Sequence, residues 1–381
     1  MKNVLVVGGT GPSGPWLVEG LLKRGLDVSV LHRGTHEASG ADVEFMNHVE
    51  HIHADPHFSE SLNDALAGRQ FDIVIATYGR TRVVAESCVG KCDRFYGIGG
   101  MPAYLGQFDA DQVTPYGMRL LASEESPLAD TTGAHIRPPS DPPAKIVATE
   151  RSVFSLHDEG KLDVTWFRYP SVYGPRNPRP HEWYVLRRAL DGRKQIVVPD
   201  AGLTIRTRAA GRNAAHAVLC AVDNPSTARG RTYNVGDDQQ FTFRQWAEVL
   251  ADICGIAEVE IVSLPWELAR PTWGLLPRGD SHALMDTSRI RAELGYTDLI
   301  APVDALTESV QWYRANPVSD ETAARYGLFF DYPAEESLIS AYRDSSRQID
   351  VGSEVPFVDQ GHHIYAHPTQ VGNEVGDSRG R

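Results

Sequence analysis

The strongest constraint on this chain lies at its start. Val4 to Val7 is a short apolar run, and it is cut off by a turn reading Gly-Gly-Thr-Gly-Pro-Ser-Gly, with Gly8, Gly9, Gly11 and Gly14 in it. A helical pattern with Leu17, Leu21 and Leu22 on one side follows and stops at Gly25. A continuous apolar run of this length fits a strand buried on both faces, which belongs in a parallel sheet. The order strand, glycine turn, helix is the setting in which such glycines have separate tasks: a tight turn, close approach of a ligand to the backbone, and close packing of helix on strand. Unpaired N–H groups and the positive end of the helix dipole then favour an anion such as a dinucleotide's pyrophosphate. Gly8, Gly11, Pro12, Ser13 and Gly14 are therefore the first candidate cofactor-binding residues, with a simple βα turn as the plainer alternative.

Three further strands extend the pattern. Val28 to Leu31 ends in His32-Arg33-Gly34, where an NAD site would place Asp or Glu to accept from the ribose 2′-OH. Arg33 suits a 2′-phosphate instead, so the expected cofactor is NADP(H), with NAD(H) possible; a solvated surface charge is the plainer role for Arg33. A strand from His51 to Ala54 ends at Asp55, and one from Phe71 to Ala76 ends at Thr77-Tyr78. Both ends face the same crevice, which adds Asp55, Thr77 and Tyr78 to the cofactor candidates; for Asp55 a helix cap is an equal alternative. The expected fold class is α/β, a Rossmann-type doubly wound parallel sheet with a smaller C-terminal α/β substrate-binding lobe.

Bulk properties exclude several classes. With 381 residues the chain exceeds the roughly 250–300 at which a single core stops growing, so a second, smaller domain is expected. A net charge of −13 repels a phosphate backbone, and no basic run offsets it, which argues against a nucleic-acid partner. Four cysteines are too few for a disulfide framework, and Cys88 and Cys92, four apart on one helical face, read as two buried thiols and not as a metal site. The apolar start breaks at glycine too early for a signal peptide, and no run is long enough to span a membrane. A cytoplasmic protein acting on a small molecule is the expectation.

Several ordered segments resemble the extended short-chain dehydrogenase/reductase superfamily, the NAD-dependent epimerase/dehydratase group. Besides the glycine turn these are Arg168-Tyr-Pro-Ser-Val-Tyr-Gly-Pro175, Tyr233-Asn-Val-Gly236, and Asp286-Thr-Ser-Arg289 leading to Glu293-Leu-Gly-Tyr296. The resemblance runs from Met1 to about Pro317. It implies that Tyr169 and Val172 line the nicotinamide, and that Tyr233-Asn-Val-Gly opens the C-terminal lobe. The implied domains are 1–175, a dinucleotide-binding domain whose sheet is completed by parts of 205–240; 176–335, a substrate lobe with interleaved segments; and 336–381, a polar tail. Helical and strand patterns fade beyond Pro317. The cluster His362, His363, His367 in that tail reads as surface and not as a metal site.

The resemblance fails where the family moves its proton. Where the family ends a strand in paired hydroxyls, Phe95-Tyr-Gly-Ile-Gly-Gly100 offers glycines. The helix that should carry Tyr-x-x-x-Lys has Asp141 four residues before Lys145. The family tyrosine works because the lysine lowers its phenol pKa while the serine orients the substrate. Tyr104, just past the altered strand end, offers a replacement phenol, and with Lys145 it forms the candidate catalytic pair; packing under the loop is the plainer role for Tyr104, and a helix cap for Asp141.

In the substrate lobe the resemblance places Arg206 and Arg278 where nucleotide-linked substrates are gripped by their phosphates, guanidinium being suited to paired charge-assisted bonds. A structural ion pair is the alternative for each. Asn213 replaces the family's Asp. The family also implies a homodimer, paired through helices around Val83–Cys88 and Val147–Leu156. The sequence thus predicts an NADP(H)-binding oxidoreductase, epimerase or dehydratase acting on a small or nucleotide-linked substrate with a non-standard catalytic centre. A cofactor-binding sensor or scaffold, and a tailoring enzyme that uses the cofactor structurally, stay open.

Overall fold

The computed structural model describes residues 2–34, 41–77, 79–129, 142–272 and 281–348. Tyr78, Asp141, Arg278 and the histidines near 362 lie outside them. The chain divides into two units, Met1–Glu335 and Glu336–Arg381.

Strand β1 (Asn3–Val7), helix α1 (Gly14–Lys23), β2 (Asp27–His32), β3 (Glu50–His53), α2 (Ser59–Ala65), β4 (Phe71–Ala76), α3 (Thr81–Cys88), β5 (Cys92–Gly100), α4 (Pro142–Asp158) and β6 (Asp163–Tyr169) follow in sequence. A short β7 (Ser171–Tyr173) leads to α5 (Trp183–Leu190) and β8 (Gln195–Pro199), then β9 (Arg208–Ala210), α6 (Gly211–Asp223), α7 (Pro225–Ala228) and β10 (Arg231–Asn234). The remainder is α8 (Phe243–Cys254), β11 (Glu260–Leu264), α9 (Ser288–Leu294), α10 (Pro302–Ala315), α11 (Asp320–Arg325) and α12 (Tyr332–Gln348).

Seven strands form one parallel sheet in the order β10-β6-β5-β4-β1-β2-β3. Alternation along β1 explains its layers. Val4 and Val6 face Leu17, Val18 and Leu21 of α1 and Val218 of α6, while Leu5 and Val7 face Leu62, Val84, Cys88 and Val153 on the other side. With both faces covered, every residue from Val4 to Val7 is fully buried, which is why this strand reads as an unbroken apolar run. β1 and β4 are neighbours, and the chain order reverses between them, which opens a crevice at their C-terminal ends.

The second lobe packs α5, α8 and α10 around Tyr184, Trp246, Leu250 and Tyr313, beside the parallel pair β8·β11. α8 is held by a capping box between Thr242 and Gln245 and closes on Gly255 in the left-handed region.

Three expectations need correction. Tyr233 and Asn234 belong to the edge strand of the main sheet instead of opening the second lobe, because Arg231↔Thr165 pairing carries the chain back to β6. Cys88 and Cys92 are both buried, but one ends α3 and the other begins β5. Helices also continue past Pro317: Asp331 caps α12 through the Ala334 N–H, and Glu335 of α12 is buried against Arg188.

Candidate active site

The glycine turn occupies the crevice between β1 and β4. Gly8 (φ 105°) and Gly9 (φ 75°) take the left-handed conformation that an L side chain resists. The Gly8 N–H donates to the Leu31 carbonyl (2.9 Å), and Thr77 fastens the turn from the other strand, its hydroxyl donating to Val7 O (3.0 Å) and accepting from the Gly9 N–H (3.4 Å). A Cβ on Gly14 would come within 2.2 Å of the Gly9 carbonyl, so only glycine lets α1 begin there. A Cβ on Gly11 would meet nothing within 4 Å, which marks the open side of the turn.

α6 closes the turn from below. A Cβ on Gly211 would stand 2.1 Å from Pro12 O, and Tyr169 donates its hydroxyl to Ala214 O (2.7 Å) while also meeting the side chain of Ser13. Burial pushes that phenol well above its ordinary value. Ser13 makes no capping bond to its own helix, so the first turn of α1 has no side-chain acceptor there. These features fit a dinucleotide: bare main chain, an approach free of side chains, and the positive end of a helix. Val172 lies half-buried against the same core.

At the end of β2 the candidates diverge. Arg33 is exposed, while His32 is buried and accepts the Gly34 N–H on Nδ1 (3.0 Å). Its Nε2 stands 2.7 Å from His51 Nδ1, and His51 Nε2 stands 2.8 Å from Met46 O. One proton arrangement satisfies all three contacts: both rings carry hydrogen on Nε2 and donate in the same direction. Asp55 accepts from the N–H and the Nδ1 of His57 (3.0 and 2.8 Å), which, with the nearby Arg33 charge, holds its carboxyl below the usual range. It caps no helix, since α2 starts after Phe58.

Tyr104 is 1% exposed, and its hydroxyl is held at the C-terminal ends of β6 and β10 by protein groups. Its hydroxyl donates to Asn234 Oδ1 (2.7 Å) and accepts from Arg168 Nη1 (2.9 Å). Burial raises the phenol to about 12, the Arg168 charge opposing in part. Arg168 in turn grips Glu150 with two nitrogens (2.6 and 3.1 Å) and donates to Glu124 O (2.8 Å). Burial works to lower its pKa, but the Glu150 pairing outweighs it and holds the guanidinium charged. Tyr104 thus ties β5 to β6 and β10. The sequence signal for this network was a charge, Arg168, directly after the apolar Trp166 and Phe167 near the end of β6. Lys145 lies exposed near the start of α4.

The glycines that replace the strand-end hydroxyls have a packing cause. A Cβ on Gly97 would come within 2.3 Å of the Trp166 ring, and one on Gly99 within 2.6 Å of its indole nitrogen. Trp166 on β6 takes the space of two side chains on β5.

Where the second lobe meets the sheet, Arg206 and Arg208 are 6% and 8% exposed. β9 pairs with β7 so that Arg208 stands opposite Ser171. Glu182, fully buried and pushed upward in pKa by that burial, accepts from the Gly174 N–H (3.0 Å) and the Ser309 hydroxyl (2.8 Å). Asp237, raised to about 6 by burial, accepts from Asn213 (2.8 Å), Tyr173 (2.8 Å) and the Ala210 N–H. Burial, with Arg208 and Arg179 adding to it, depresses His181 to about 3.

The fold and the glycine turn define a Rossmann-type α/β protein. Residues 122–236 match the model of the NAD dependent epimerase/dehydratase family. The chain is 24% identical over 320 residues to the chloroplast stem-loop binding protein of 41 kDa b from Arabidopsis thaliana, covering 81% of this chain and 78% of that one. It is 24% identical over 337 residues to a dTDP-glucose 4,6-dehydratase from Streptomyces niveus, covering 82% and 93%. Among solved structures it resembles a dTDP-glucose 4,6-dehydratase from Bacillus anthracis in complex with NAD (TM-score 0.64, 16% identity, 86% of this chain and 100% of that one). It also resembles a UDP-glucose 4-epimerase from Thermotoga maritima with UDP-glucose (0.63, 18%, 82% and 99%). The chain is thus similar to the NAD dependent epimerase/dehydratase family over residues 122–236, and its fold is similar to that of solved dehydratases and epimerases.

Proposed function

We propose that the chain is an NAD(P)-dependent enzyme of the epimerase/dehydratase type that holds NADP(H) in the β1–β4 crevice and acts on a small or nucleotide-linked substrate. The observation that carries this is the turn itself: Gly14 seated against Gly9, with Gly11 open to approach. When bound, the cofactor supplies hydride transfer. The protein's part is to hold the phosphates on the Gly8–Gly14 main chain and to set the far end beside Tyr169 and Val172. Relatives and neighbours named as dehydratases and epimerases, two of them solved with NAD or UDP-glucose, support the class of substrate. Arg33 supports the phosphorylated cofactor, because it stands where an acid would repel a 2′-phosphate. NAD is the cofactor named for several neighbours, so the two are to be compared directly.

On this reading the proton does not travel by the family's route. No hydroxyl ends β5, and Tyr104 is committed to Arg168 and Asn234. Purified protein titrated with NADPH and NADH, followed by cofactor fluorescence, tests the cofactor; turnover with carbonyl and sugar-nucleotide panels tests the chemistry. Tyr104→Phe and Lys145→Met then ask whether either residue transfers a proton. Binding without turnover on any panel selects the second reading, a cofactor-binding protein without catalysis. That reading draws on the same lost hydroxyls and on the likeness to a stem-loop binding protein. Pairing of two copies across α3 and α4 belongs to the first reading, and sedimentation tests it.

A further inference from the structure

Away from the glycine turn, α1 and α6 border a groove of about 500 Å³. Its shape comes from a missing side chain: a Cβ on Gly20 would come within 2.2 Å of Leu219 Cδ1, so Leu219 packs straight onto the α1 backbone and the larger neighbours stand to either side. On α1 the lining runs from Trp16 to Arg24, about 12 Å at about 1.5 Å per residue. α6 contributes Arg212, His216 and Leu219, which share one face at three- and four-residue spacing.

The apolar walls are held in place. Leu299 is 56% exposed, yet its N–H and that of Ile300 donate to Oδ1 of the fully buried Asn213 (2.8 and 3.1 Å), so an exposed leucine stands at the groove on anchored backbone. Trp16 carries the Arg212 guanidinium 4.2 Å from its ring centroid. Burial, with the Arg24 charge adding to it, lowers the His216 pKa and favours a neutral ring there. Trp16 and His216 give the walls flat aromatic surfaces, which suit a flat ring.

The charges along the groove are unequal. Lys23, Arg24 and Arg212 line it against one carboxylate, Glu19, among the described residues. Lys23 is tied to Glu19 (2.7 Å), and Arg24 commits three nitrogens to Asp223 and Gly20 O. Arg212 differs: its Nη2 alone meets both oxygens of Glu308 (3.0 Å each), and Glu308 does not line the groove. Among the described residues Nη1 makes no hydrogen bond, and Nε is enclosed without a partner. A guanidinium has about five N–H donors, so more than half of these are idle. On a chain of net charge −13, an apolar groove ending in an idle guanidinium reverses the prevailing sign and suits an anion with an apolar body.

We propose that the α1–α6 groove is a second ligand site and that it takes a small aromatic carboxylate, with the ring against Trp16, Leu219 and Leu299 and the carboxylate accepting from Arg212 Nη1. None of the candidate cofactor residues lines the groove, so the inference does not depend on the nucleotide reading.

Calorimetry with indole-3-acetate and its uncharged amide on the full chain tests it, beside thermal melting. Wild type is expected to bind indole-3-acetate with a Kd of about 1 mM or tighter, which about thirteen non-hydrogen atoms deliver in a fitting site. The amide is expected to bind about tenfold or more weakly, because the charge-assisted bond is lost. Leu299→Asp, at an exposed side chain, is expected to melt as wild type does while weakening indole-3-acetate by about tenfold or more. Arg212→Gln is expected to remove the preference for acid over amide. Binding is expected to persist in saturating NADPH. Absence of saturable binding overturns the inference. So do equal affinities of wild type for acid and amide, displacement by NADPH, or unchanged binding in folded Leu299→Asp and Arg212→Gln. A chain that does not bind NADPH loses the nucleotide reading, and the two variants still decide the groove.

Discussion

Trp166 on β6 fills the place that a side chain on Gly99 of β5 would need: a Cβ there would stand 2.6 Å from the indole nitrogen. The missing strand-end hydroxyl is thus coupled to a packing choice on the next strand. Gly99→Ser is expected to destabilise the fold by about 1–3 kcal/mol, the usual cost of overpacking a filled core. Gly100→Ser has only Pro102 Cδ at 3.2 Å to displace and is expected to cost less than about 1 kcal/mol. Urea unfolding of both variants reads the difference, and equal costs would mean that Trp166 moves aside freely.

The glycine turn allows binding and folding to be separated. Gly11→Ala adds a methyl with nothing within 4 Å, so stability is expected to hold while the methyl occupies the open side of the turn and weakens NADP(H) binding. Gly14→Ala drives its Cβ into the Gly9 carbonyl at 2.2 Å and is expected to lose both. Calorimetry with NADPH beside thermal melting distinguishes the two; full affinity in Gly11→Ala would move the pyrophosphate off this turn.

Much of the main sheet was legible because its signals are local. Val4–Val7 and Ile73–Ala76 are apolar runs ending in turn residues, and a strand buried on both faces has to read that way. The tie between Tyr104, Arg168, Glu150 and Asn234 was not legible, since only the fold brings its members together: Arg168 and Glu150 are 18 residues apart, Tyr104 and Arg168 64, and Tyr104 and Asn234 130. Burial of Arg208 was hidden for the same reason: a charged residue between Thr207 and Ala209 looks like surface until Trp246 is laid on it. Likewise the buried Arg188–Glu335 pair, which holds the first turn of α12, is a contact over 147 residues.

Arg168 and Glu150 make a buried pair at 2.6 Å, 3% and 6% exposed at their side chains. Losing one partner leaves the other charged and unpaired, so Arg168→Met is expected to cost about 3–5 kcal/mol. The double variant Arg168→Met, Glu150→Met is expected to recover part of that loss, because no orphan charge remains. Tyr104→Phe removes the acceptor of Arg168 Nη1 and the donor to Asn234, and is expected to cost about 1–3 kcal/mol. A denaturation cycle over these variants checks the pairing. A Tyr104→Phe protein of wild-type stability that has lost turnover would return the phenol to the role of proton donor.

Asp237 gives the fold a pH dependence of its own. Burial lifts its carboxyl from an ordinary 3.8 to about 6, so the folded chain binds a proton that the unfolded chain has released. The sign follows from that difference: the stabilising contribution is complete below about pH 4 and is lost as pH rises through about 6. Its size is roughly 3 kcal/mol, at about 1.4 kcal/mol for each tenfold change in the proton equilibrium. The cause is that ionised Asp237 must sit beside Tyr173 and Asn213 away from water, and their bonds to it offset only part of the desolvation. Asp237→Asn keeps the shape and removes the titration. Unfolding free energies measured from pH 4 to 7 are expected to fall more steeply for wild type than for Asp237→Asn, and parallel curves would show that the carboxyl is already ionised throughout that range.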